Sequence, residues 1–306
     1  EETAGNGAAA ARHYIEAARL FAIGSSPHLR TDTRAMAALV KARAAYQAAQ
    51  RHVPGQFRIV KIPFDGKSFE AYLHLPPGKG PFPVVVYSNG SDVVKEQVGD
   101  ALRGELAMRN IALLSIDMPG IGSGGAYDLT PASDVLHVAA IEHMRRDPAI
   151  DPTRVAAMGV SFGGHAAARL FLRPGLGLRG VVEACGPLRS VFMLPPAAYE
   201  RLPALTLDGV RDRVGLPVGV STTDRAATMR PFALDAPDPA STVKIDTPLL
   251  ILGTEADPVA PLKDVGLLVA RASKVSTIVS RELGHCPGEL LTASTAAAWL
   301  ALRLRE

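Results

Sequence analysis

From Pro83 onward the chain alternates short apolar runs with stretches whose apolar residues recur at helical spacing. The runs lie at roughly 83–88, 112–117, 154–160, 180–185, 248–254 and 274–280, and they are apolar throughout instead of alternating. Strands read that way when helices cover both faces of a parallel sheet. The pattern therefore predicts an α/β fold built on a mostly parallel, doubly wound sheet. Just upstream, β-rich runs at 57–62 and 69–75 are joined across Asp65-Gly66-Lys67, which predicts a hairpin. Residues 1–56 read differently. They are rich in Ala and Arg, and Tyr14, Ile15, Ala18 and Phe21, then Met36, Leu39, Val40 and Tyr46, recur at helical spacing. Gly24-Ser25-Ser26-Pro27 separates the two groups, so two amphipathic helices are expected. The expected organisation is an N-terminal helical segment, 1–56, followed by one large domain, 57–306.

One connection is too long. About sixty residues separate Cys185 from Pro248, where an ordinary link between helix and strand needs far fewer. The stretch carries Phe192-Met193-Leu194-Pro195-Pro196, Tyr199 and Met229-Arg230-Pro231-Phe232, apolar and broken by proline. It reads as a lid or cap insertion, 188–246, over the end of the sheet.

Composition narrows the class. Of 306 residues 47% are hydrophobic, ample for a large core, and the formal charge is only +3 with basic residues scattered. Neither nucleic acid nor an anionic membrane surface is expected as a partner. No window approaches the roughly 18 uninterrupted apolar residues of a spanning helix. Glu1, Glu2, Arg12, His13, Glu16 and Arg19 interrupt any signal-peptide core, so a cytoplasmic protein is expected. The chain begins at Glu1 and not at Met, as a processed or trimmed form would, and Thr3-Ala4-Gly5-Asn6-Gly7-Ala8 resembles a linker. The two cysteines, Cys185 and Cys286, give no disulfide framework and are expected as buried or half-buried free thiols in a reducing compartment.

The chemistry centres on Gly159-Val160-Ser161-Phe162-Gly163, set between the apolar run Val155-Ala156-Ala157-Met158 and the helix former Ala166-Ala167-Ala168. A G-x-S-x-G between strand and helix is the nucleophile elbow of α/β-hydrolases, where small residues permit a sharp, strained turn. Such folds place the acid and then the histidine later in the chain, each at a strand end. After the run 248–254 comes Glu255-Ala256-Asp257-Pro258, and after 274–280 comes Leu283-Gly284-His285-Cys286. Ser161, Asp257 and His285 are therefore the expected triad, with Glu255 as the fallback acid. The donors for a developing oxyanion are expected to be the backbone N–H of Phe162 and that of Ser91, with Gly90 or Asn89 as alternatives to Ser91. Asn89, Gly90, Phe192 and Met193 are expected in the substrate pocket.

Two motifs mislead. Gly120-Ile121-Gly122-Ser123-Gly124-Gly125 satisfies G-x-G-x-x-G, but no helix opens until about Pro131–Ser133, so a dinucleotide phosphate would find no helix N-terminus. It reads as a flexible loop beside the site. Gly66-Lys67-Ser68 ends like a P-loop but belongs to the hairpin turn, because position 61 is lysine. His74, His137, His143 and His165 show no metal-ligand spacing and read as surface histidines; no metal and no cofactor are expected.

Several blocks carry a family resemblance. They are Ala71-Tyr72-Leu73-His74-Leu75-Pro76 through Pro83-Val84-Val85, then Ser88, Gly90 and Asp92, Ile116-Asp117-Met118-Pro119 with Gly120 and Gly122, Leu129-Thr130, Phe162-Gly163-Gly164, Gly186-Pro187 and Asp257-Pro258-Val259. Over most of 57–265 the chain resembles the fermentation–respiration switch protein (FrsA-like) esterase family of the α/β-hydrolase superfamily. The switch protein lacks the elbow serine that this chain has at Ser161. The resemblance therefore implies the active branch, with its polyketide-shortening hydrolases and C–C hydrolase of nicotine breakdown. It implies a helical N-terminal segment and a lid that shape the pocket. The expected activity is acyl transfer to water from an ester, thioester or cleavable ketone of medium size, free or carrier-bound. Acyltransferase or cyclase chemistry with the same triad, and a non-catalytic regulatory binding protein, are the alternatives. A homodimer is compatible with this reading.

Overall fold

A computed structural model describes residues 5–97, 100–236 and 243–305; residues 1–4 of the leader and 237–242 of the expected lid lie outside the described residues. The chain opens with helices α1 (Gly7–Gly24) and α2 (Thr33–Gln50), capped by the side chains of Asn6 and Asp32. Ala18, Ala22, Ala42 and Ala49 are fully buried, and these small side chains let the two helices approach closely. The hairpin follows as β1 (Gln56–Phe64) and β2 (Lys67–Leu75), turned by Asp65 and Gly66 at φ 45° and 70°.

The alternating region gives β3 (Phe82–Ser88), α3 (Asp100–Ala107), β4 (Ala112–Ile116), α4 (Val135–Met144), β5 (Ile150–Val160), α5 (Phe162–Leu172) and β6 (Val181–Ala184). After the long insertion come β7 (Leu249–Thr254), α9 (Leu262–Val269), β8 (Val275–Ser280) and α10 (Glu289–Arg303), with α6 (Pro196–Tyr199), α7 (Ala204–Arg213) and α8 (Thr222–Met229) inside the insertion. The strands form one eight-stranded sheet in the order β1-β2-β4-β3-β5-β6-β7-β8, antiparallel only where β2 meets β1 and β4. Leu136, Ile141, Leu170 and Phe171 bury α4 and α5 against one face. Leu102, Leu106, Ala296 and Leu300 bury α3 and α10 against the other. This is the doubly wound sheet that continuous apolar runs require.

The insertion packs back on the body. Phe192, Tyr199, Met229 and Phe232 share one apolar cluster with Phe162 of α5 and with Ala22 and Leu39 of the N-terminal helices. The histidines correct the sequence reading. His74, His137 and His165 are buried, not surface groups. His137 meets Ser88 Oγ at 2.7 Å, and His165 meets Ser133 Oγ at 2.8 Å and the Phe232 carbonyl at 2.9 Å. Burial pushes His137 and His165 down to about 4, so each is a neutral donor–acceptor inside the core. Polarity alone did not reveal this, since a neutral imidazole is buried readily: His165 finds partners for both nitrogens, and His137 for Nε2.

Candidate active site

β5 ends at Val160 and α5 begins at Phe162, so the turn between them consists of Ser161 alone, at φ 55° and ψ −124°. A non-glycine residue there is strained, and it persists only because its neighbours leave no alternative. A Cβ on Gly159 would lie 1.9 Å from the Gly163 carbonyl oxygen, and one on Gly163 would lie 2.5 Å from that of Asn89. The glycines of the motif are thus a steric necessity of the elbow.

Ser161 Oγ lies 2.8 Å from His285 Nε2, and His285 Nδ1 lies 2.9 Å from each oxygen of Asp257. A carboxylate only accepts, so Nδ1 carries the proton and Nε2 is free to accept from the serine hydroxyl. Asp257 is buried, follows β7, and also accepts from the N–H groups of Val259 and Ala260 at 2.8 Å and of Cys286 at 3.1 Å. Burial opposes its ionisation, but the Ala260, Cys286 and Val259 donors and the imidazole outweigh burial and hold the carboxyl below its usual range. Glu255, the alternative acid, is exposed.

The remaining expected residues divide. Phe162 is the first residue of α5, where a helix leaves its N–H without an intrahelical acceptor. Gly90 backs onto the serine, since a Cβ on it would lie 3.1 Å from Ser161 Oγ. Ser161, Phe162, Ser91, Phe192 and His285 all line one cavity of ≈ 250 Å³. Tyr199, Leu205, Leu207, Val210 and Met229 contribute apolar wall from the insertion, and Arg213 reaches it from the end of α7. Asn89, Gly90 and Met193, expected in the pocket, do not line it: the Asn89 amide accepts from the Tyr87 hydroxyl, and Met193 is 38% exposed.

A profile of the FrsA-like family (esterase FrsA-like) matches residues 1–301. The chain belongs to the FrsA-like family. Esterase FrsA of Enterobacter sp. (strain 638) is 35% identical over 207 residues, covering 67% of this chain and 50% of that protein. Esterase FrsA of Vibrio cholerae (strain M66-2) is 33% identical over 258 residues, covering 84% and 62%. The chain therefore spans about half to two thirds of the length of the curated relatives it matches. Among solved structures it resembles the 2,6-dihydroxy-pseudo-oxynicotine hydrolase (TM-score 0.81, 21% identity, 99% of this chain and 83% of that one). It also resembles AbyA5 (TM-score 0.75, 22% identity, 99% and 85%) and the carboxylesterase EstE1 (TM-score 0.62, 18% identity, 83% and 91%). These likenesses show the α/β-hydrolase fold.

Within this FrsA-like chain, two features at the site were not foreseen. Cys185 and Cys286 form a disulfide, with Cα atoms 5.1 Å apart. This corrects the expectation of free thiols and removes the argument from thiols to a reducing compartment. The loops after β6 and β8 converge beside Ser161, and a sequence separation of 101 residues carries no signal of that. The same bond accounts for the grouping of Cys185, His285 and Cys286 within 4.8 Å of one another, which would otherwise resemble metal ligands. The second feature is a buried ionic cluster behind the Ser91 loop. Lys95 Nζ reaches Asp117 at 2.9 Å and Glu96 at 3.1 Å, all three residues being buried, and the Tyr72 hydroxyl donates to Glu96 at 2.8 Å. Gly122 wraps this cluster, for a Cβ there would lie 2.3 Å from Asp117 Oδ2. The glycine-rich stretch thus folds over a carboxylate, with a short 3₁₀ turn at Gly122–Gly124. Among the described residues no helix is long and apolar enough to cross a membrane.

Proposed function

We propose that this protein is a serine hydrolase in which Ser161 is the nucleophile, His285 the general base and Asp257 the residue that orients it. The observation that carries the reading is the unbroken hydrogen-bond chain from Asp257 through His285 to Ser161 Oγ, opening into the apolar-walled cavity. The hydroxyl oxygen attacks the acyl carbon while its proton passes to Nε2. The N–H groups of Phe162 and Ser91 receive the oxyanion. The leaving group departs with the proton from Nε2, and water repeats the sequence to release the acid. Buried Asp257 stays ionised throughout and stabilises the imidazolium.

The cavity supports an acyl or aromatic group of medium size, presented as an ester, a thioester or a ketone with a cleavable C–C bond. The insertion 188–246 supplies much of its wall and acts as a cap. Family relatives bearing the name esterase, and a structural neighbour bearing the name hydrolase, support hydrolysis over the non-catalytic alternative. A panel of p-nitrophenyl esters, acyl thioesters and β-diketones, with products identified by mass spectrometry, tests the reading. Turnover that survives Ser161→Ala, or no turnover of any member while a fluorophosphonate leaves Ser161 unlabelled, would sink it.

A further inference from the structure

The loop that carries Ser91 is held from outside the hydrolase body. Arg213 closes helix α7 of the cap and is buried to 1% exposure, one of the largest fully buried side chains of the molecule. Its Nε donates to the carbonyl of Ser91, and its Nη2 donates to the carbonyl of Pro27 at 2.8 Å. It forms no ion pair among the described residues. Burial lowers its pKa to about 10, with the charge of nearby Asp92 working the other way. A guanidinium buried on carbonyls alone is an expensive way to fill space, because an apolar side chain would avoid the desolvation cost.

The environment is built around it. Arg213 also accepts from Leu129 N–H at 2.7 Å through its own carbonyl. Gly120 lies against it so closely that a Cβ there would be 2.8 Å from Arg213 Cα. The next carbonyl of the same loop, that of Asp92, is met by His28 Nε2 at 3.1 Å. His28 Nδ1 lies 2.6 Å from the Ser25 hydroxyl, which holds the ring in place. Two consecutive carbonyls are thus gripped by donors from the cap and from the N-terminal segment. With both carbonyls held, the Ser91–Asp92 and Asp92–Val93 peptide planes cannot rotate; the Ser91 N–H lies in the preceding Gly90–Ser91 plane and is restrained through the Ser91 Cα that joins the two.

We propose that Arg213 is a positioning residue for acyl transfer: by holding the Ser91 carbonyl it anchors the Ser91 backbone, and so restrains the preceding N–H that faces the oxyanion, so that the cap is part of the catalytic apparatus as well as the pocket wall. The inference rests on the serine hydrolase reading, and its test keeps the two apart. The substrate is p-nitrophenyl acetate, whose acyl group is too small to use the cap wall. Arg213→Met keeps the length and apolar stem without the donors, and Arg213→Lys keeps the charge with a single point donor. Loss of one oxyanion donor costs about 10²–10³-fold in kcat, so a misaimed donor should cost about 10–100-fold.

The expected result is that drop in kcat for Arg213→Met with KM changed less than twofold, an intermediate kcat for Arg213→Lys, and fluorophosphonate labelling of Ser161 slowed in parallel. A merely structural role would move the melting temperature and leave kcat per folded molecule alone. Wild-type kcat in a folded Arg213→Met overturns the proposal, as does a change confined to KM for long acyl chains. Should Arg213→Met fail to fold, Arg213→Lys decides: wild-type kcat there overturns the proposal, and a lowered kcat at unchanged KM upholds it. Failure of the wild-type protein to react at Ser161 would instead refute the hydrolase reading beneath it.

Discussion

Asp257→Asn is the substitution for which the structure gives the sharpest forecast. The two carboxylate oxygens together face His285 Nδ1 and three backbone N–H groups, of Val259, Ala260 and Cys286. An amide can replace only one oxygen as acceptor. Val259 and Ala260 both donate to Oδ1, so the amide oxygen settles there and the NH₂ takes the place of Oδ2. That NH₂ confronts the Cys286 N–H and donates to His285 Nδ1. The imidazole must then carry its proton on Nε2, pointing at Ser161, and the hydroxyl has lost its base. In other serine triads the same change costs about 10⁴-fold in kcat, equivalent to about 5.4 kcal/mol of barrier at 1.36 kcal/mol per decade.

Stability should suffer less. One buried N–H loses its acceptor, at about 1–3 kcal/mol, so the variant remains folded with a melting temperature lowered by several degrees. Initial rates on a short p-nitrophenyl ester, paired with a thermal melt by circular dichroism, separate the two effects. A rate within tenfold of the parent in a folded Asp257→Asn would refute the tautomer argument and move the acid elsewhere, with exposed Glu255 the next to test.

Ser161→Ala should lower kcat by up to about 10⁶-fold with little change in melting temperature, and it should abolish fluorophosphonate labelling. Labelling that survives the substitution would mean another nucleophile. Replacing Cys185 and Cys286 together by Ala opens a loop of 101 residues. For a loop near that length the chain-entropy account gives a loss of about 4–5 kcal/mol, read as a fall in melting temperature that an unchanged melt would contradict. Glu183, buried on β6, is pushed up to about 8 by burial, and the charge of Asp257 works in the same direction. Its folded pKa lies above the unfolded value of about 4.3, so the native state holds a proton that the unfolded chain has released. Stability contributed this way is full below about pH 4 and is lost as pH rises towards 8. Glu183→Gln keeps the oxygen that accepts from Gly186 N–H, and its melting temperature should hold between pH 6 and 9 while that of the parent declines. Parallel declines would remove Glu183 as the cause.

The features legible in sequence were those that local chemistry or strand order dictates. Ser161 announced itself because Gly159 and Gly163 cannot bear a Cβ. Asp257 and His285 could be placed because each follows a run that became a strand, β7 and β8, in an order the sheet then honours. The runs located the strands to within a residue or two, except that β5 begins at Ile150 and not at 154, through Pro152 and polar residues that conceal a strand. The illegible features were long-range and specific. The disulfide joins positions 101 apart, and Arg213 reaches Ser91 across 122 residues. A lone arginine in a polar-looking helix gives no sign that it will be buried, just as His137 gave no sign of its bond to Ser88. Composition describes what a segment can bury, but which carbonyl a buried donor finds is settled only by the assembled fold.

These long-range contacts bear on how such a protein can be altered. Electrostatic stabilisation of an oxyanion depends on donors that are already aimed before the charge appears. Here Ser161 is aimed by backbone geometry, and His285 by Asp257 and the adjoining disulfide. The Ser91 loop alone takes its restraint from the cap and from the link between the N-terminal helices, through Arg213 and His28. Pocket shape and donor aim are therefore tied to the same helix, α7, which also lines the cavity through Leu205, Leu207 and Val210. A cap exchanged for that of another hydrolase should change substrate range as intended. It should also lower kcat on every substrate, small esters included, unless the exchange carries an arginine at the position of Arg213. Kinetics of the two chimaeras, with and without that arginine, on p-nitrophenyl acetate decide the point, and equal kcat in both would show that the Ser91 loop needs no support from the cap.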